Sequence, residues 1–168
     1  MNVIVPSLSG FCPGVWSAEK RLFEVKEKFP NEPIYIYGYM INNRKYIEYL
    51  ETQNVHTEED ISKIPSDAVV VIRTHGIDRK IERQLHKEHR VIDLTCAKIK
   101  RVQKEIEKYA GHDYFVVVTG KKNHPETKGL ISYADKGVVI EKKDDLEEFL
   151  SIGKEKLHRT ISADKIIL

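Results

Sequence analysis

The 168-residue chain holds two cysteines and no Cys-x-x-Cys pair. That excludes a disulfide framework and the short structural zinc motifs. No apolar run approaches the roughly 18 residues of a membrane span, and Met1-Asn2-Val3-Ile4-Val5-Pro6 lacks the basic region and apolar core of a signal peptide. A cytoplasmic location without membrane association is the expectation. Neither sign of charge dominates: 28 basic residues meet 26 acidic ones, for a net +2. Such a balance argues against a nucleic-acid surface, and the alternating Lys and Glu read as solvated helix faces. The small positive excess is compatible with an anionic small ligand. An apolar content of 40% is enough for a real core, in one large domain or two small ones.

The two cysteines share a setting. Cys12 lies in Ser9-Gly10-Phe11-Cys12-Pro13-Gly14-Val15, a turn too rich in glycine for a strand and directly ahead of an amphipathic helix. Cys96 follows the apolar run Val91-Ile92 in Asp93-Leu94-Thr95-Cys96, ahead of a helical pattern with Ile99, Val102, Ile106 and Tyr109 on one face. Each sits between a strand and a helix N-terminus, where the dipole and open N–H groups favour thiolate over thiol. A nucleophile or a metal ligand fits that position; a small buried hydrophobe is the plainer alternative.

Taken in order, the sequence predicts strands at Val3-Ile4-Val5, 34–37, 55–56, 68–72, 90–94, 115–118, 137–140 and 157–161. Between them fall helices ending near Phe29, opening at Ile41-Asn42-Asn43, and over 78–88, 97–110, 126–134 and 143–151. Thr57-Glu58-Glu59-Asp60 resembles a capping box before a single helical turn. Trp16 and the tyrosines are expected in cores or between layers, and His56, His86, His89 and His112 at the surface. Ala68-Val69-Val70-Val71-Ile72 is continuous and β-branched, as in a sheet covered on both faces. The expected fold class is α/β: two similar small doubly wound units with parallel sheets around a central cleft, 1–95 carrying Cys12 and His75, and 96–168 carrying Cys96, His124 and Glu126.

In parallel sheets ligands bind beyond the carboxyl ends of the strands. Cys12, Asn42, Thr74, His75, Cys96, His124 and Glu126 all follow predicted strands. Three chemistries are open to them. Cys12, Cys96, His75 and His124 could surround one zinc; a cysteine could be a nucleophile beside a histidine, with Glu126 as acid or base; or the thiolates could hold an iron–sulfur cluster while the imidazoles hold an anion. Plainer roles compete: His75 as a helix cap, His124-Pro125 as a rigid helix start, Glu126 as a first-turn dipole partner.

Gly10-Phe11-Cys12-Pro13-Gly14-Val15, Gly38 to Asn43, Thr74-His75-Gly76, Asp93-Leu94-Thr95-Cys96 and His124-Pro125-Glu126 with Gly129 occur in that order along essentially the whole chain. As a set they closely resemble the LytB family, the 4-hydroxy-3-methylbut-2-enyl diphosphate reductases of isoprenoid biosynthesis (the MEP pathway). The resemblance implies three similar α/β units around a central [4Fe–4S] cluster, with one cysteine from each unit. It implies Cys12 and Cys96 as cluster ligands, His75 and His124 on the substrate's diphosphate, and Glu126 as the proton donor that helps hydroxide leave. The implied reaction yields isopentenyl and dimethylallyl diphosphate, with electrons from reduced ferredoxin or flavodoxin.

The sequence also departs from that pattern. Asn42 stands where the family has a diphosphate-binding histidine. His158-Arg159-Thr160 aligns with a Gln-Thr-Thr run, which puts Arg159 and Thr160 on the substrate side. The third unit, with its cysteine, does not occur before Leu168. The third protein ligand would then come from another subunit, making a homo-oligomer one possibility, or from another ligand. Two classes stay open: a truncated or divergent iron–sulfur reductase, and a non-redox relative that binds a phosphorylated ligand or a protein partner.

Overall fold

The computed structural model describes the backbone of residue 4 and of residues 10–112, 114–160 and 166–167, with side chains as far as residue 151. Helices and strands alternate: α1 (Pro13–Lys28), β1 (Ile34–Tyr37), α2 (Arg44–Thr52), β2 (Val55–Glu58), β3 (Val69–Ile72), α3 (Arg79–Glu88), β4 (Arg90–Asp93), α4 (Ala97–Ala110), β5 (Phe115–Thr119), α5 (Pro125–Ile131), β6 (Gly137–Ile140), α6 (Lys143–Thr160) and β7 (Ile166–Ile167). The chain is an α/β protein with parallel strand pairs, as that alternation requires.

Two compact units form. One holds Met1–Thr74 and Val91–Cys96, the other His75–Arg90 and Ala97–Leu168. This division puts Cys96 in the first unit and His75 in the second, whereas the sequence reading had drawn one cut at residue 95. The reason is β4, which leaves the first unit's side of the chain in sequence yet lies beside β3.

In the first unit the sheet order is β2-β1-β3-β4, with β1 parallel to both β2 and β3. Ile34, Ile36, Val69 and Val71 alternate along the strands with their neighbours. They share one core with Ala18, Leu22 and Val25 of α1 and with Tyr46 and Leu50 of α2. The apolar residues of α1 recur at helical spacing, so burial of that stripe fixes the helix. All four residues of β3 are buried, in line with its unbroken β-branched run. Asn43 caps α2 by accepting from the Tyr46 amide at 3.2 Å.

In the second unit the order is β6-β5-β7, parallel throughout. Val116 and Val118 of β5 pack with Ile106 of α4 and with Leu130 and Tyr133 at the end of α5. Phe115, on the other face of β5, stacks on Phe149 of α6, their centroids 5.7 Å apart. Helices thus cover both faces of this sheet.

Several expectations are corrected. Residues 157–160 continue α6 instead of forming a strand, and the short closing strand is 166–167. The strand expected at Val3-Ile4-Val5 lies outside the described residues except for Ile4, which is 91% exposed. Trp16 is 61% exposed, because the inward stripe of α1 runs through Ala18 and Leu22 instead. On α4 the buried side is Gln103, Ile106 and Ala110, and Val102 is 44% exposed. The cap before the turn at 61–63 is Asp60 alone, accepting from the Ser62 amide at 3.0 Å, while Thr57 and Glu58 belong to β2.

Candidate functional site

The chemistry-bearing residues form two sets, one in each unit. In the first unit Cys12 is the N-cap of α1, with Pro13 at the first helical position. Its backbone is extended, its carbonyl accepts from the Trp16 amide at 3.0 Å, and its sulfur caps nothing in the helix. Phe11 sets its ring edge-on to Tyr46 of α2 at 5.4 Å, holding the turn against the core. Burial, and then the Glu19 carboxylate beside it, push the Tyr46 phenol well up, so that ring stays neutral.

Cys96 arrives by a different route. The Leu94 amide donates to the Ile72 carbonyl at 3.0 Å, and the Cys96 amide to the Thr74 carbonyl at 2.9 Å. The chain therefore stays beside β3 past the end of β4. Thr74 is itself fixed, its buried hydroxyl donating to the Met40 carbonyl at 3.0 Å. Cys96 then stops just short of α4.

The two routes meet at Gly14. A Cβ on that residue would lie 2.9 Å from Cys96 Sγ and 3.8 Å from Cys12 Sγ. Both sulfurs thus lie within 3.8 Å of one point, and only the missing side chain leaves room for them. Neither is in a disulfide, and Cys12 is exposed. That exposure rules out the buried-hydrophobe reading for Cys12.

The donor set suits a soft metal: two thiols before helix N-termini, converging on a cradle that a Cβ would fill. It is a partial set. Among the described residues no group of three or more His, Cys, Asp or Glu side chains comes together to hold a metal ion. The two thiols lie in the first unit, and His75 and His124 in the second. For an iron–sulfur cluster the two thiols can serve as ligands, and further ligands have to come from elsewhere.

In the second unit His75 and His124 come together, ring centroids 6.1 Å apart and planes nearly perpendicular. His75 precedes α3 without capping it, a task that falls to Asp78, which accepts from the Lys80 amide at 2.7 Å. His124 does cap α5: its Nδ1 accepts from the Glu126 amide at 3.3 Å, with Pro125 following. The rigid helix start read from His124-Pro125 is real, and it orients the ring. With Nδ1 accepting, a neutral imidazole carries its proton on Nε2, as a donor for an oxyanion. Glu126 is half-buried in the first turn of the same helix.

Asn42 is exposed in the loop after β1, next to the capping Asn43. Arg159 and Thr160 fall within α6, their side chains outside the described residues. The second unit also has a cavity of about 380 Å³ between α4 and β5, lined by Ile106, Val116, Val118 and Leu130, with neither histidine in its wall. The contacts of two residues were not evident from sequence. Ser132 joins α5 to α3, and Gly129 makes close contact with the Ile77 carbonyl. A lone serine and a helical glycine carry no local signal of such contacts.

The chain is similar to known proteins over most of its length. The family model described as LytB protein matches residues 3–165. The 4-hydroxy-3-methylbut-2-enyl diphosphate reductase of Helicobacter pylori (strain Shi470) is 40% identical over 142 residues, covering 83% of this chain and 50% of the relative. That of Clostridium tetani is 30% identical over 152 residues, covering 88% of this chain and 24% of the relative. The solved structure of (E)-4-hydroxy-3-methyl-but-2-enyl diphosphate reductase, the terminal enzyme of the non-mevalonate pathway, superposes with a TM-score of 0.75 at 34% identity, over 89% of this chain and 54% of that one. The chain thus spans half or less of the curated relatives compared here. No helix among the described residues is long and apolar enough to cross a membrane.

Proposed function

The chain belongs to the LytB family, and from that premise we propose that it is the cysteine- and histidine-bearing part of an iron–sulfur reductase acting on 4-hydroxy-3-methylbut-2-enyl diphosphate in isoprenoid biosynthesis. The observation that carries the proposal is the meeting of Cys12 and Cys96 over Gly14. Two thiols brought to one point from distant parts of the sequence have little structural purpose, since they form no disulfide and Cys12 is exposed. As thiolates they are ligands for a [4Fe–4S] cluster.

When bound, that cluster would relay, one at a time, the two electrons that removal of an allylic hydroxyl requires. The remaining work falls to side chains. His75 and His124 donate ring N–H groups to the diphosphate, His124 through Nε2 while its Nδ1 accepts from the Glu126 amide. Glu126 holds the proton that lets the hydroxyl leave as water. Asn42 offers a neutral hydrogen bond, and Arg159 and Thr160 contribute on the substrate side. Reduced ferredoxin or flavodoxin is the electron donor, and the protein works in the cytoplasm. A homo-oligomer is one way to supply ligands beyond Cys12 and Cys96.

Anaerobic reconstitution with iron and sulfide tests the reading. Wild type should take up iron and sulfide in a labile, substoichiometric form, because two thiolates hold a cluster weakly, and Cys12→Ser or Cys96→Ser should abolish the uptake. A stable, stoichiometric cluster in wild type would instead indicate a site shared within an oligomer. No uptake by wild type, with diphosphate binding intact, would favour the second class, a non-redox relative that binds a phosphorylated ligand or partner. The neutral Asn42 is the feature on that side.

A further inference from the structure

We infer that Ser132, with Gly129, is a positioning residue that sets the distance between His75 and His124. The inference rests on the reading that this pair binds diphosphate. The two histidines come from separate segments: His75 from the loop that leads into α3, His124 from the N-cap of α5. Something has to hold the loop against the helix for their rings to stand 6.1 Å apart.

Two contacts do so, both at the far end of α5. Ser132 is the C-cap residue of α5. Its hydroxyl donates to the Gly129 carbonyl at 2.7 Å and accepts the Arg79 amide at 2.9 Å. Arg79 is the first residue of α3, where a backbone N–H has no partner within its own helix. A single hydroxyl thus ties the last turn of α5 to the first turn of α3, four residues after His75. Gly129 makes the second contact: a Cβ there would stand 3.3 Å from the Ile77 carbonyl, so a bare Cα lets α5 lie directly on the loop. Ile77 is buried, and this stretch of loop cannot swing away without opening the core.

The resulting ring is closed. It runs from His75 through Ile77 to Gly129, along α5 to His124, and back across the imidazole pair. Since α5 is seven residues long and rigidly started by Pro125, a shift at its C-terminal end is carried to His124. Glu82 of α3, which binds the Tyr133 hydroxyl and accepts from Lys100 at 3.0 Å, braces the same junction from the side.

The test is Ser132→Ala, with Ser132→Thr as the variant that keeps the hydroxyl and Gly129→Ala as an independent push on the Ile77 carbonyl. Two quantities are read in each folded protein. One is the nuclear Overhauser contact between the two imidazole rings. The other is the calorimetric affinity for inorganic diphosphate. Ser132→Ala and Gly129→Ala should weaken the ring-to-ring contact and lower affinity about tenfold, which is 1.4 kcal/mol, and Ser132→Thr should restore both. If Ser132→Ala does not fold, Gly129→Ala decides, its added methyl requiring only a few tenths of an ångström of movement. An unchanged ring contact in the folded variants overturns the inference. If the contact changes while no protein, wild type included, binds diphosphate, the positioning role stands and the diphosphate reading fails.

Discussion

Cys12 and Cys96 place their sulfurs on the same side of Gly14, within 3.8 Å of the point that a Cβ there would occupy. Each thiol comes to that point by its own backbone path, one as a helix cap and one along the edge of β3.

Such proximity should be measurable in the metal-free protein. A short bifunctional thiol reagent such as dibromobimane should link Cys12 to Cys96 within one chain, a product visible by mass spectrometry. Gly14→Ala should cut that yield several-fold, because the new methyl meets Cys96 Sγ at 2.9 Å and the sulfur has to turn away. The thermal midpoint should hardly change, as alanine is the better helix former by about 1 kcal/mol and Gly14 lies in the first turn. Equal cross-linking in both proteins would show that the thiols do not share the cradle.

Under the proposed function, Asn42 is a neutral contact to the diphosphate. Charge-assisted hydrogen bonds are worth about 1.5–3 kcal/mol against roughly 0.5–1.5 for neutral ones, so Asn42→His should tighten isopentenyl diphosphate binding about tenfold. The gain needs an imidazolium and should be larger at pH 6 than at pH 8. Calorimetry at both pH values checks it, and equal affinities would remove Asn42 from the ligand's surroundings.

Acid should loosen the second unit through Asp145. The Lys122 ammonium at 2.6 Å, with the Glu141 and Lys142 amides, holds its carboxyl down at about 2. A depressed carboxylate stabilises the fold above its ordinary pKa of 3.8, and that contribution is lost as pH falls from there through about 2. Asp145→Asn should lower the thermal midpoint at neutral pH and flatten its decline between those two values. Matching pH profiles for the two proteins would exclude the carboxylate as the cause.

The sheet of the first unit offers a stability check. Ile36 is fully buried between α1, α2 and the neighbouring strands. Ile36→Ala should cost about 2–5 kcal/mol and Ile36→Val about 0.5–1.5 in urea unfolding. A smaller loss for alanine than for valine would contradict the packing.

The elements that sequence showed best were those whose signal is local. The β-branched run at 68–72, the stripe of α1 and the helix start around Ile41-Asn42-Asn43 each depend on neighbours in the chain, and the structure has β3 at 69–72, α1 buried along that stripe and α2 starting just after Asn43. The α4 stripe was displaced because Gln103, polar by type, is buried at 1% exposure, and no pattern of apolar residues marks such a position. The position of each cysteine just ahead of a helix was legible, while the strand expected before Cys12 lies outside the described residues. That His75 and Cys96 exchange units was not legible, because it depends on β4 returning to lie beside β3. Ser132 was illegible for a related reason: its partner, the Arg79 amide, is fifty-three residues away.

That return of the chain has a consequence for folding. Residues 75–90 belong to the second unit, while β4, which follows them in sequence, completes the first unit's sheet beside β3, so β3 keeps one edge bare until the chain returns. An uncovered strand of four buried, β-branched residues is the kind of edge on which other chains pair. A cut between β3 and β4 would leave that edge open, so a fragment carrying the complete first sheet has to run at least through Asp93.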